Sequence, residues 1–221
     1  MFIPAEITAF RQTVYQVFSE CFLHPPALAS LPFMADPEWR QSASALLGPE
    51  AAKLCKDFTE ESGPDRLAVE HAALFVVPGP QQTFPFESNY CEKRLINGEN
   101  RPGPMLGYVA LQVQRAYAEC GMPTDLGAGE LPDHAGVELR FMSLLAAAER
   151  LSAVSEDPQV REGIRQLEAG FLNKHILQWF PQWLKCLHMR AKEPFYKSGA
   201  LVLKGFLRTE KITLDQTTSS R

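Results

Sequence analysis

Leu131-Pro132-Asp133-His134-Ala135-Gly136-Val137-Glu138-Leu139-Arg140-Phe141-Met142 is the stretch on which the reading of the fold turns. It follows the Gly-rich run Met122–Leu131, and Pro132 stops whatever precedes it. Asp133 is placed to cap the next helix or to sit in its first turn as an acid. His134, Val137, Glu138, Phe141, Leu144, Leu145 and Ala148 recur at intervals of three and four, which puts them on one helical face. The spacing predicts a helix over 133–152, with an ionisable pair, Asp133 and His134, at its flexible entry.

Outward from that helix the same pattern repeats. Toward the N-terminus, Ile7, Phe10, Val14, Val17, Phe18, Cys21 and Phe22 mark an amphipathic helix over 5–23, stopped by His24-Pro25-Pro26. Asp36-Pro37 is a cap followed by a proline at the first helical position, and that helix ends at Gly48. Pro49 opens another, carrying Ala52, Leu54, Cys55 and Phe58, and a fourth runs from about Asp65 through Phe75. A helix over 104–120 turns Leu106, Val109, Val113, Tyr117 and Cys120 inward and closes at Gly121. Beyond 152, Asp157-Pro158 repeats the cap-plus-proline signal. The segment from His175 carries Pro181 as a kink or a restart, and Pro194 opens the last helix. The predicted architecture is all-α: an irregular globule of about ten helices packed ridges into grooves. Residues 1–121 form an N-terminal helical part, 122–132 a hinge and 133–221 a C-terminal helical part, together one structural unit.

One segment departs from helix. Pro78-Gly79-Pro80-Gln81-Gln82-Thr83-Phe84-Pro85-Phe86-Glu87-Ser88-Asn89-Tyr90 is too rich in proline to be helical, yet it carries three aromatics. Such a loop is either tucked onto the core or presents a binding surface. A short helix over 87–95 and a polar turn at Asn97-Gly98 follow it.

Composition narrows the function classes. The 221 residues are 45% apolar and 22% charged, the balance of a globular protein with a sizeable core. A net charge of -4 without clustered Lys and Arg argues against nucleic acid as a partner. The five cysteines are dispersed and form no C-x-x-C, as expected of free and mostly buried thiols in a reducing compartment. No basic n-region precedes an apolar core at the N-terminus, and no apolar run nears the ~18 residues of a membrane span. The expected location is the cytoplasm. The chain has no P-loop, no complete dinucleotide fingerprint, no G-x-S-x-G elbow and no H-E-x-x-H helix. The expectation is a non-enzyme without metal or cofactor. His134 and Glu138, four apart on a helix with His71 or His175 approaching in space, keep a small metal-dependent enzyme as the alternative. A general helical interaction module is a third option.

Three segments, taken together, resemble the TorD/DmsD group of cytoplasmic chaperones for molybdenum-containing redox enzymes. They are Glu70-His71-Ala72-Ala73-Leu74-Phe75 with Pro85-Phe86-Glu87-Ser88-Asn89-Tyr90; Pro132-Asp133-His134 with Glu138-Leu139-Arg140-Phe141-Met142; and Phe171, His175, Trp179, Pro181, Leu187, Ala191 and Phe195-Tyr196. Order and spacing agree across about residues 65–207. The resemblance implies a helical chaperone that binds the twin-arginine signal peptide of a molybdopterin oxidoreductase precursor and assists its cofactor loading before export. It also implies a monomer or a homodimer that exchanges helices across the hinge. By matching positions, it assigns signal-peptide binding to Leu74, Phe75, Pro85, Phe86, Asp133 and His134, with His71, Glu87, Tyr90 and Glu138 in support. The physics agrees with such a role. Two guanidinium groups and an apolar h-region call for an acid beside an apolar surface.

Overall fold

The computed structural model describes residues 5–27, 31, 35–58, 63–96, 99–104, 106–123, 126, 129–153 and 158–218. The cap expected at Asp157, the turn at Asn97-Gly98 and four residues of the 122–132 run lie outside that set. The helices run in chain order as α1 (Ala5–Leu23), α2 (Pro37–Leu47), α3 (Pro49–Lys56), α4 (Pro64–His71), α5 (Ser88–Cys91), α6 (Tyr108–Glu119), α7 (Ala135–Ser152), α8 (Pro158–Phe171), α9 (Leu177–Arg190) and α10 (Pro194–Thr218). The all-α reading holds. Proline opens α2, α3, α4, α8 and α10, because its missing N–H is one the first helical turn leaves unpaired anyway. The Asp36 side chain caps α2 by accepting from the Glu38 N–H at 2.8 Å. Gly121, at φ 67°, ends α6 in the left-handed conformation that glycine adopts at no cost.

Four local expectations need correction. Strands β1 (Lys93–Ile96) and β2 (Glu99–Pro102) pair antiparallel, where the sequence reading ran a helix to residue 95. The signal was present in the dipeptide Asn97-Gly98 between them, the pair that two-residue hairpin loops favour. Helix α7 starts at Ala135, and its cap is His134, whose Nδ1 accepts from the Gly136 N–H at 3.1 Å; Asp133 does not cap it. That helix is also buried on nearly every side, including Leu139, Met142, Ser143 and Ala146, while Leu144 is exposed, so no single stripe describes it. Of the five cysteines, all free, only Cys21 and Cys55 are buried.

The chain resolves into two compact units, each assembled from separated pieces. The first comprises Met1–Ser19, Phe86–Trp179 and Thr209–Arg221, and the second Glu20–Pro85 and Phe180–Arg208. The described residues of the 122–132 run all belong to the first unit.

In the first unit Phe141 packs tilted against Tyr117 and edge to face against Phe171, with both centroid distances at 4.7 Å. Beside this aromatic core lies a buried ion network. Arg11 donates to Glu210 at 2.8 Å, Glu149 at 2.7 Å and Glu168 at 2.9 Å, and Arg165 reaches Glu149 at 2.6 Å. The Tyr15 hydroxyl donates to Glu210 at 2.9 Å. Two guanidinium groups thus face three carboxylates, and the excess negative charge shows in Glu168. Burial raises its carboxyl to about 7 against the pull of Arg11.

In the second unit Phe75 is the aromatic hub, in contact with Phe22, His71, Trp183 and Tyr196. It sits in a wide π-turn, Ala72–Val76, that continues α4. The Val77 N–H closes that turn on the Ala72 carbonyl at 2.7 Å, and Thr83 donates its N–H to the Leu74 carbonyl at 2.7 Å, fastening the proline-rich loop to it. A second π-turn, Leu172–Ile176, joins α8 to α9, and Gln178 Nε2 covers the Asn173 carbonyl at 2.7 Å. Pro181 lies inside α9.

Candidate functional site

Within the first unit the loop residues 86–91 and the entry to α7 are fastened together. The Glu87 N–H donates to the Asp133 carbonyl at 2.9 Å, and the Ser88 N–H to Asp133 Oδ2 at 3.0 Å. Phe86 pairs with His134 across an isolated antiparallel bridge, their rings meeting edge to face at 5.1 Å. Tyr90 stacks on Trp179 at 5.5 Å, and Trp179 Nε1 donates to Glu138 Oε2 at 3.2 Å. His175 Nδ1 lies 3.0 Å from Glu87 Oε2.

The outcome is a buried acidic cluster, with Glu87 3%, Asp133 0% and Glu138 0% exposed, against one imidazole, His175. Three carboxylates cannot all stay ionised out of water. Burial, then Glu87 and Asp133, push the Glu138 carboxyl well above the usual range, which favours its protonated form. Tyr117, its hydroxyl donating to the Pro132 carbonyl at 2.7 Å, is likewise pushed up, first by burial and then by Glu138. Asp133 Oδ1 is buried with no hydrogen-bond partner among the described residues. The cluster therefore has an unmet capacity for a donor, best a cationic one.

The family model for the nitrate reductase delta subunit matches residues 41–185. The chain belongs to that family. Among its relatives is Chaperone protein TorD of Vibrio cholerae, 23% identical over 150 residues that cover 68% of this chain and 63% of that protein, just under two thirds of its length. Chaperone protein TorD of Salmonella bongori is 24% identical, over 93% of this chain and 90% of that one. The Selenate reductase assembly chaperone protein of Thauera selenatis is 26% identical over 56% of this chain and 58% of its own length. The resemblance read from the three motifs is borne out as to family.

Of the positions this family resemblance singled out, the first unit gathers Phe86, Asp133 and His134 together with the supporting Glu87, Tyr90 and Glu138. Leu74, Phe75, Pro85 and His71 belong to the second unit. Leu74 is fully buried and Phe75 is 8% exposed, both as part of its core. His71 is buried too, with Nε2 3.3 Å from the Phe22 carbonyl, and burial lowers its pKa to about 4, so it is neutral at physiological pH. The aromatic open to solvent in this loop is Phe84, at 46%. No group of three or more His, Cys, Asp or Glu side chains among the described residues is arranged to hold a metal ion. His134 Nδ1 is already committed to its cap.

Sequence reasoning gave Glu87 and Glu138 a supporting role, considered His175 only for the metal-dependent alternative, and gave Trp179 no role beyond its motif. The structure puts all four at the centre. Their chain separations, 41 residues for Glu138–Trp179 and 88 for Glu87–His175, leave no local periodicity to find.

The raised Glu138 carboxyl makes a prediction. A carboxyl whose folded pKa is raised contributes stability that is complete below its unfolded pKa and is lost as pH rises through the folded value. Glu138→Gln keeps an acceptor for Trp179 and a donor toward Glu87 without needing the proton. In thermal melts its advantage over the parent should widen from mildly acidic to alkaline pH. A pH-independent difference would mean Glu138 carries no proton there.

Proposed function

We propose that this chain is a non-enzymatic, cytoplasmic chaperone that binds the twin-arginine leader of a molybdenum-containing oxidoreductase precursor and assists its cofactor loading before export. Family membership and the relatives named as chaperones, one of them an assembly chaperone, support the class. The single observation that carries the peptide reading is the acidic cluster of Glu87, Asp133 and Glu138, with Asp133 Oδ1 buried and unmatched. A guanidinium donates up to five hydrogen bonds in a planar fork suited to carboxylates, and two adjacent arginines define this class of leader. Glu87 and Ser88 donate their N–H groups to Asp133 beside the Phe86–His134 bridge, and this set of contacts must open for an arginine to reach Asp133. Among the described residues no helix is long and apolar enough to cross a membrane, in keeping with a client-binding role before export.

Titration calorimetry with a synthetic twin-arginine leader tests the assignment. Asp133→Asn removes the charge at nearly constant shape and should weaken binding about tenfold or more, the cost of one charge-assisted hydrogen bond. A leader with both arginines changed to glutamine should bind the parent protein as weakly as the unchanged leader binds the variant. Unchanged affinity in the folded variant would remove Asp133 from the site. The metal-dependent alternative predicts stoichiometric metal in the purified protein, which elemental analysis measures directly.

A further inference from the structure

A second site lies in the first unit, on the face where α6 meets the end of α8 and the π-turn after it. Its inner pocket, about 160 Å³, has a floor of Ala116, Leu167, Gly170 and Phe171. That volume is close to the roughly 150 Å³ that accommodates a benzene ring in a protein interior. The pocket opens into a cleft of about 500 Å³ whose rim carries Arg115, Lys174 and His175, with Glu119 as the one acid. Arg115 and Lys174 are exposed and make no ion pair or hydrogen bond among the described residues. His175 has its Nδ1 committed to Glu87 and its ring held against Phe171 at 4.8 Å, so Nε2 is the nitrogen left for the cleft. A buried carboxylate therefore orients an imidazole whose other edge lines an open pocket. Gly170 keeps that pocket open. A Cβ there would meet nothing within 4 Å, although alanine is the better residue inside a helix.

We propose that this cleft binds an acidic, apolar polypeptide segment, seating one large apolar side chain in the inner pocket and its neighbouring carboxylates on Arg115 and Lys174. The cationic rim makes the site distinct from the acidic cluster. It disfavours a twin-arginine leader, so its occupant is a different stretch of a partner. The outer cleft is three times the volume of the inner pocket, as expected for a segment of chain rather than one ring.

The test is an amide NMR titration of the full chain with acetyl-Glu-Glu-Phe-Glu-Glu-amide. The lysine counterpart, acetyl-Lys-Lys-Phe-Lys-Lys-amide, and 3-phenylpropionate serve as comparison probes. The acidic peptide should shift the amides of Ala116, Gly170, Phe171 and Lys174, and the lysine peptide should leave them in place. Arg115→Glu with Lys174→Glu, at exposed positions that the fold does not use, should weaken the acidic peptide about tenfold or more. Gly170→Leu should block it while circular dichroism reports an intact helix. Leader binding should be unaffected by all three changes, which separates this site from the one proposed above. Equal shifts from the acidic and basic peptides, no shifts from either, or full binding by the doubly charge-reversed variant would overturn the proposal. Shifts from 3-phenylpropionate matching those of the peptide would reassign the site to a small carboxylate and likewise overturn a polypeptide occupant.

Discussion

Arg11→Met should lower the folding stability by about 3–5 kcal/mol, while Glu168→Gln, one bond away in the same network, should raise it above neutral pH. Arg11 touches three carboxylates from three different helices and is 2% exposed. Without it, Arg165 pairs with Glu149, while Glu168 and Glu210 lose the guanidinium they share. In a chain of this size the loss corresponds to a fall in melting temperature of roughly 6–20 °C. Glu168 behaves in the opposite sense because it is the member the network accommodates least well. Its carboxyl is raised to about 7 from an ordinary 4.5, so the folded state keeps a proton that the unfolded chain gives up. The stability it contributes is complete below about pH 4.5 and is lost as pH rises through about 7. Glutamine still offers an oxygen to Arg11 and carries no charge to bury. The gain should approach roughly 3 kcal/mol at alkaline pH and vanish near the unfolded pKa. Urea unfolding of both variants at mildly acidic and alkaline pH measures this. If methionine at position 11 costs under about 1 kcal/mol, the network is wet and behaves as surface ion pairs do.

Phe75→Ala is the second large effect, with an expected cost of about 3–5 kcal/mol from the cavity it leaves among Phe22, His71, Trp183 and Tyr196. The family resemblance places Phe75 in a peptide-binding pair, and the structure places it in a core with 8% exposure. Truncation therefore disturbs the fold before it reports on any contact with a peptide. Phe75→Leu, which refills most of the volume, is the discriminating variant. It should restore most of the stability. Leader affinity then reports on the aromatic ring itself: a persistent loss at restored stability assigns Phe75 to recognition, and wild-type affinity assigns it to packing. Phe84→Ala, at an exposed position, provides the comparison without a cavity.

Much of the fold was legible in the chain because its signals are local. Proline opens five helices, Asp36 caps α2, and Gly48 and Gly121 end helices; each acts through backbone geometry within a few residues. The helix over α10 and the inward residues Val109, Val113 and Tyr117 of α6 follow from period alone. The π-turns at Ala72–Val76 and Leu172–Ile176 were not legible, since one extra residue in a turn leaves no compositional trace. The pairing of β1 with β2 was legible in principle through Asn97-Gly98, but the strands are too short and too charged to alternate clearly.

The site divides in the same way. The sequence by itself determined which residues were worth watching, Asp133, His134, Glu87 and Glu138 among them, because family motifs and helix-entry chemistry are written in residue order. Only the tertiary structure decided what they do together. Burial beside Glu87 and Asp133 raises the Glu138 carboxyl, His175 is held by Glu87, and Asp133 ties down Ser88 rather than capping α7. The physical reason is that a carboxylate's charge state depends on water exclusion and on neighbours brought from 41 to 88 residues away, and neither is a property of the local chain.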